Sequence, residues 1–323
     1  MMKQTLLATA LAALVLLPGA ALAQQVVRIA YVTAENSPQA SQARLFAEQV
    51  EARLPGAFEF RFFPSAQLGN EQATLEQLQL GTLEMGNLVT PMAEADDRLG
   101  IFDLPWLFED RAHVQRAITG DLKSEIVGAA EAGTSTKVLG IYENGFRHVM
   151  SPVAITTPAD MEGLKIRLPG GQVRQEVFRM LGANPTPIDW SEVYTALQTG
   201  VVDGAEAAAY GFAGSKLYQV SDHLSLTAHN YAPSFLVASQ TFWSGLSDEA
   251  KTAFAEAAEV IIEPSFEEAE AQDQIAIDEI ATEAAVNEID FIAFQAAVQP
   301  VYDDYIAENG SEWLDAIRAA QAE

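Results

Sequence analysis

The chain contains no cysteine. Disulfides, thiol nucleophiles and cysteine-ligated clusters are excluded with it, and so is a lipid anchor on an N-terminal cysteine. Positive charge is scarce: 18 Lys and Arg stand against 45 Asp and Glu, a formal net charge of −27. That balance opposes phosphate backbones and anionic membrane surfaces, so no nucleic-acid partner is expected. The four histidines, His113, His148, His223 and His229, are scattered without metal-ligand spacing. The chain carries no H-E-x-x-H, G-x-S-x-G, P-loop or G-x-G-x-x-G. Neither catalysis nor a cofactor is expected. Beyond Leu17 no run approaches the ~20 apolar residues of a membrane-spanning helix.

What is present is a 323-residue chain that is 49% hydrophobic, enough for two lobes with cores of their own. The first 23 residues read as a secretory signal. Lys3 supplies the positive end, Leu6 to Leu17 the apolar run, Pro18 and Gly19 the break, and Ala21-Leu22-Ala23 the cleavage pattern. An exported, unanchored protein is retained only by an outer membrane, so the expected address is the periplasm. Charge is unevenly spread. From Asp248 to Glu323 there are 20 acidic residues against Lys251 and Arg318, which reads as a solvated face. From Ser135 to Pro185 six basic residues outnumber four acidic ones, so only there would an anion meet a favourable local field.

Periodicity predicts a β-α-β-α-β opening: a strand over 26–32, a helix over 38–52, a strand over 58–62, a helix over 71–80 capped by Asn70 and ended by Gly81, and a strand over 83–89. Helices near 111–118 and 121–132 and a strand over 137–142 follow. The rhythm then repeats, with strands over 147–150 and 165–168, helices over 173–181 and 191–198, and a strand over 201–205. Alternating strands and helices imply an α/β fold. Leu78-Gln-Leu-Gly-Thr-Leu-Glu84 echoes Leu197-Gln-Thr-Gly-Val-Val-Asp203, as two similar lobes would. Strands over 223–227 and 235–239 read as crossovers. A long helical stretch over 248–285 is expected to kink at Pro264 and to run across both lobes.

Arg167 lies in the middle of the short apolar strand Leu164 to Leu168. A buried guanidinium needs an anionic partner, and its planar fork matches a carboxylate. In an acidic chain that partner is either a small anion brought from outside or an internal Asp or Glu.

The segment Gly163 to Ala208, GLKIRLPGGQVRQEVFRMLGANPTPIDWSEVYTALQTGVVDGAEAA, resembles the core signature of the DctP-type substrate-binding proteins of tripartite ATP-independent periplasmic (TRAP) transporters. FFPSAQLGNEQATLEQLQLGTLEMG is similar to their N-terminal signature, and LPWLFED, ENGFRHV and SFLVAS also fit, in order along the whole chain after residue 23. The resemblance implies a two-lobed, periplasmic-binding-protein type II-like α/β fold with a ligand cleft between the lobes and a long kinked helix spanning both. The expected division is 24–144 plus about 233–272 for lobe I, and 145–232 plus about 273–323 for lobe II. Carried over by resemblance, Arg167 matches the family's ligand-carboxylate arginine and Arg147, in the ENGFR segment with Asn144, a second one. Trp190 would wall the pocket, Asn70 and Glu71 would meet ligand hydroxyls, and Ser234 would add a polar contact. Trp190 as ordinary helix-start packing and Asn70 as a plain cap are the alternatives. Where many relatives carry Asn, this chain has Ala207. That departure points to a smaller or partly apolar carboxylate, with Tyr210 compensating.

The expectation is therefore a monomeric periplasmic receptor, not an enzyme. It would capture a small organic acid, such as a uronate, an aldonate or another hydroxy or keto carboxylate, and deliver it to TRAP membrane permease subunits. A secreted α/β enzyme acting on a carboxylate and a periplasmic sensory module are the alternatives; turnover would favour the first.

Overall fold

The computed structural model describes residues 24–322, so the expected signal segment lies outside the described residues. Eleven strands are described: β1 (Gln25–Ala30), β2 (Phe58–Phe63), β3 (Met85–Leu88), β4 (Thr136–Tyr142), β5 (Arg147–Ser151), β6 (Lys165–Leu168), β7 (Asn184–Pro187), β8 (Gly204–Ala208), β9 (His223–Ser225), β10 (Ser234–Ser239) and β11 (Ala285–Asn287). They form two sheets. The first runs β2-β1-β3-β10-β4 and the second β11-β9-β5-β8-β6-β7. In the first, β1 lies parallel between β2 and β3, while β10 is antiparallel to β3 and β4. In the second, β8 lies parallel to β6 and antiparallel to β5.

Each lobe is built from the patterning that the sequence shows. The helix Pro38–Arg53 starts at the Ser37 cap and buries Ala40, Ala43, Phe46, Ala47 and Val50 at helical spacing. Phe46 and Phe58 pack edge-on against Phe254, with ring centroids 5.4 and 5.0 Å away. The long helical stretch is two helices, Asp248–Val260 and Ile262–Ile280. The break falls where the Pro264 ring would meet the carbonyl of Val260, four residues back. The pair contacts the helix Pro38–Arg53 of the first lobe and, through its second half, the helix Ala209–Gly214 of the second.

Two observations differ from expectation. The strand expected over 201–205 lies three residues later, at β8. Val201 is exposed in the turn that ends the preceding helix, and the strand itself is Gly-Ala-Glu-Ala-Ala. A central strand crowded on both sides takes small residues: a Cβ on Gly204 would lie 2.7 Å from the Met150 carbonyl oxygen. The second concerns 273–323, given wholly to the second lobe by the expected division. Its last helices also dock on the first lobe: the Tyr305 hydroxyl donates to the Arg98 carbonyl (2.8 Å), and Trp313 Nε1 to Glu125 (2.8 Å).

The chain crosses from β4 to β5 through 143–146 and returns from β9 to β10 through 226–233. A Phe146–Tyr231 bridge ties these two crossovers together. The long helix pair is the third connection.

Candidate functional site

The cleft between the sheets holds a cavity of about 180 Å³. The second lobe supplies Arg147, Arg167, Pro169, Trp190 and Tyr210; the first supplies Thr33, Gln39, Glu71 and Thr90. Arg147 is at the start of β5 and Arg167 on β6. They are not on neighbouring strands: β8 lies between them, pairing Arg147 with Ala208 and Arg167 with Ala205. The residue thereby placed between the two arginines is Glu206.

That placement decides how the two cations are used. Arg147 donates from Nε to Glu206 Oε2 (2.5 Å) and from Nη2 to Oε1 (2.9 Å), a bidentate pair buried from solvent. Arg174 reaches the same carboxylate at 3.4 Å and pairs chiefly with Asp103. Burial alone would raise the Glu206 carboxyl, but Arg147 and Arg174 overcome it and hold it well below the usual carboxylate range. His229, against Glu206 at 3.4 Å, is shifted down by burial, against the pull of the Glu206 carboxylate.

Arg167 is different. It is 1% exposed, and among the described residues no carboxylate hydrogen-bonds it. Nε donates to the Ile188 carbonyl (2.7 Å) and Nη1 weakly to the Glu206 carbonyl (3.4 Å). Trp190 covers the guanidinium, with its ring centroid 5.3 Å from Cζ. Burial, with Arg147 and Arg174 nearby, pushes Arg167 down to about 9, so it is a cation at neutral pH held at an energetic disadvantage. Its remaining N–H groups form a fork at the cavity wall, suited to a carboxylate.

The other expected residues divide. Trp190 lines the cavity, and Gly211 makes room for it: a Cβ there would lie 3.3 Å from Trp190 Cη2. Asn70 is the helix cap, accepting from Ala73 N (2.9 Å), and its amide also crosses the cleft to Asp189 Oδ2 (2.5 Å). Glu71 lines the cavity with both oxygens accepting backbone N–H groups, from Val89 (2.7 Å) and Thr90 (3.1 Å). Asn144 and Tyr210 also line it but hold each other: the Tyr210 hydroxyl donates to Asn144 Oδ1, and Asn144 Nδ2 to the Ala232 carbonyl (2.9 Å). Ser234 is not among the residues that line the cavity; it is buried on β10 and donates to Gln42 Oε1 (3.1 Å). Missed by sequence reasoning were Thr33, Gln39, Thr90, Glu94 and Asp189 in the lining and Glu206 behind it. Only Glu206 carried a signal, as a charged residue in an otherwise apolar strand.

A second buried cluster stands at the crossover. Arg111 donates from Nε to Glu143 Oε1 and from Nη2 to Asp273 Oδ2, both at 2.7 Å. Two carboxylates share one edge of one guanidinium, and Glu143 Oε2 and Asp273 Oδ1 have no hydrogen-bond partner among the described residues. Burial, opposed by Arg111 and reinforced by Asp273, pushes Glu143 up to about 7 from 4.5. A carboxyl raised in the folded state contributes stability that is complete below about pH 4.5 and is lost as pH rises through about 7. Urea denaturation from pH 5 to 8 should show stability falling with pH, and Glu143→Gln should flatten that slope. An unchanged slope in the variant would show that Glu143 does not titrate in this window.

A family model described as bacterial extracellular solute-binding protein, family 7 (DctP), matches residues 29–309. The chain belongs to the DctP family. A solute-binding protein of Verminephrobacter eiseniae is 33% identical over 305 residues, 93% of this chain and 91% of that protein. The C4-dicarboxylate-binding periplasmic protein DctP of Rhodobacter capsulatus is 31% identical over 308 residues, 92% of this chain and 91% of that one. A crystal structure of a TRAP periplasmic solute-binding protein from Polaromonas sp. JS666, bound to D-erythronate, superposes with a TM-score of 0.88 at 30% identity. It covers 93% of this chain and all of that one. DctP-family proteins are periplasmic transport receptors and not enzymes, so the enzyme alternative is set aside.

Proposed function

We propose that this DctP-family protein binds a small organic acid in the cleft, with the ligand carboxylate held by the Arg167 fork, and delivers it to a TRAP membrane permease. The observation that carries the reading is a buried guanidinium with no carboxylate partner among the described residues, facing a cavity of ligand size. A ligand carboxylate would relieve the burial that disfavours the cation, so binding and charge compensation are one event. Trp190, already stacked on Arg167, would fix the fork and wall the ligand. Arg147, held by Glu206, would orient rather than neutralise the ligand. The relatives support the class of ligand: one is named for C4-dicarboxylates and one holds D-erythronate, both organic carboxylates. The polar residues of the first lobe would complete the site as the lobes close about the crossovers. Export with cleavage after Ala23 belongs to the same reading.

A thermal-shift screen of refolded protein against organic acids, neutral sugars and amines tests it. Organic acids should stabilise by several degrees and the neutral and cationic compounds should not. Stabilisation by neutral or cationic compounds alone would overturn the reading.

A further inference from the structure

The cavity lining contains two basic and three acidic side chains: Arg147 and Arg167 against Glu71, Glu94 and Asp189. Their commitments are unequal. Arg147 is matched bidentately by Glu206, so a single cation, Arg167, is uncompensated. Glu71 has both oxygens on backbone N–H groups. Glu94 and Asp189 line the cavity and are exposed. Each uses one oxygen to bind across the cleft: Glu94 Oε1 accepts from Gly171 N (2.7 Å), and Asp189 Oδ2 from Asn70 Nδ2 (2.5 Å). Their second oxygens, Glu94 Oε2 and Asp189 Oδ1, accept no hydrogen bond from the described residues. Uncharged groups fill the rest of the polar wall: Thr33, whose hydroxyl donates to Gln39 Oε1 (2.6 Å), the Gln39 amide nitrogen left over, and Thr90.

From this distribution we infer that the cleft selects monocarboxylates with a hydroxylated tail and discriminates against dicarboxylates, with Glu94 and Asp189 as the specificity-determining residues. The inference rests on the receptor reading above and narrows its ligand class. The rest of a ligand whose carboxylate occupies Arg167 lies among the other lining residues, Glu94 and Asp189 included. Hydroxyl groups there meet anionic acceptors and form charge-assisted hydrogen bonds. A second carboxylate there meets two like charges and, among the described residues, no lining lysine or arginine of the first lobe. Specificity then comes from the repulsive element as much as from the attractive one. The exposed position of Glu94 and Asp189 weakens the repulsion through solvent and salt, so the discrimination should be moderate and should shrink as ionic strength rises.

The test uses pairs of acids that differ only in oxidation of the terminal CH2OH to a carboxylate: D-galactonate with galactarate, and D-erythronate with meso-tartrate. In calorimetric titrations at low salt, the monocarboxylate of a pair should bind at least tenfold more tightly than its dicarboxylate. The double variant Glu94→Gln, Asp189→Asn should reduce that ratio severalfold while it still binds the monocarboxylate. Both positions are exposed, so the variant is expected to fold, and circular dichroism melting checks that it does. Equal or tighter binding of the dicarboxylate by the natural protein would overturn the inference and leave the receptor reading standing. A ratio unchanged in the folded double variant would overturn the assignment to Glu94 and Asp189. If none of the four acids binds, the inference falls; the receptor reading falls with it only if the wider organic-acid screen is also negative.

Discussion

Arg167→Ala should abolish ligand binding while the protein still folds. A charge-assisted hydrogen bond contributes roughly 1.5–3 kcal/mol, and the Arg167 fork offers two in parallel. At about 1.4 kcal/mol per tenfold, affinity should fall by at least ~100-fold. The fold should survive because Arg167 satisfies no carboxylate among the described residues. Its loss leaves unpaired only the Ile188 carbonyl and one weak contact to the Glu206 carbonyl, and it removes a cation that burial disfavours. Arg167→Lys should recover little binding, since a single ammonium cannot reproduce the planar fork stacked under Trp190. Calorimetric affinity within about threefold of the natural protein, in a folded Arg167→Ala, would remove Arg167 from the site.

Glu206→Ala should have the opposite character, a large loss of stability. Glu206 is fully buried and neutralises Arg147 on one side while facing Arg174 and His229 on the other. Removing one partner of a buried ion pair strands the other charge, at a cost of roughly 3–5 kcal/mol. Asp103 still compensates Arg174, so Arg147 bears most of that cost. Urea denaturation at pH 7 should show the loss, and Glu206→Gln, which keeps the shape and the β8 packing, should be milder. A loss below about 1 kcal/mol in Glu206→Ala would show that Arg147 finds water or another partner. Arg147 and Arg167 thus look equivalent in sequence and are opposite in use: one is committed within the protein, the other is available.

Where one chain segment alone sets the geometry, the structure was legible in the sequence. The break before Pro264, the Asn70 cap and the strand that carries Arg167 follow from local rules. Where pairing partners decide, it was not. β8 is made of residues with weak strand preference and is a strand because β5 and β6 flank it, so Val201-Val202, with stronger preference, drew the expectation three residues too early. β7, Asn184-Pro-Thr-Pro187, was invisible for the same reason. Its prolines are tolerated because it is an edge strand. In the site, Arg167 could be singled out because a charge in an apolar strand demands a partner. Which carboxylate meets which arginine depends on register across β5, β8 and β6, and no local pattern encodes that. Ser234 was carried over by resemblance, but its hydroxyl is taken by Gln42 and it is not among the residues that line the cavity.

The central claim is that Arg167 receives the ligand's carboxylate. The measurement that tests it most directly is a crystal structure with the tightest-binding acid from the screen. It should place a carboxylate oxygen within hydrogen-bonding distance, about 2.7–2.9 Å, of a guanidinium nitrogen of Arg167, beneath Trp190. A ligand whose carboxylate lies elsewhere in the cleft, with Arg167 contacting only water or protein, would contradict the account.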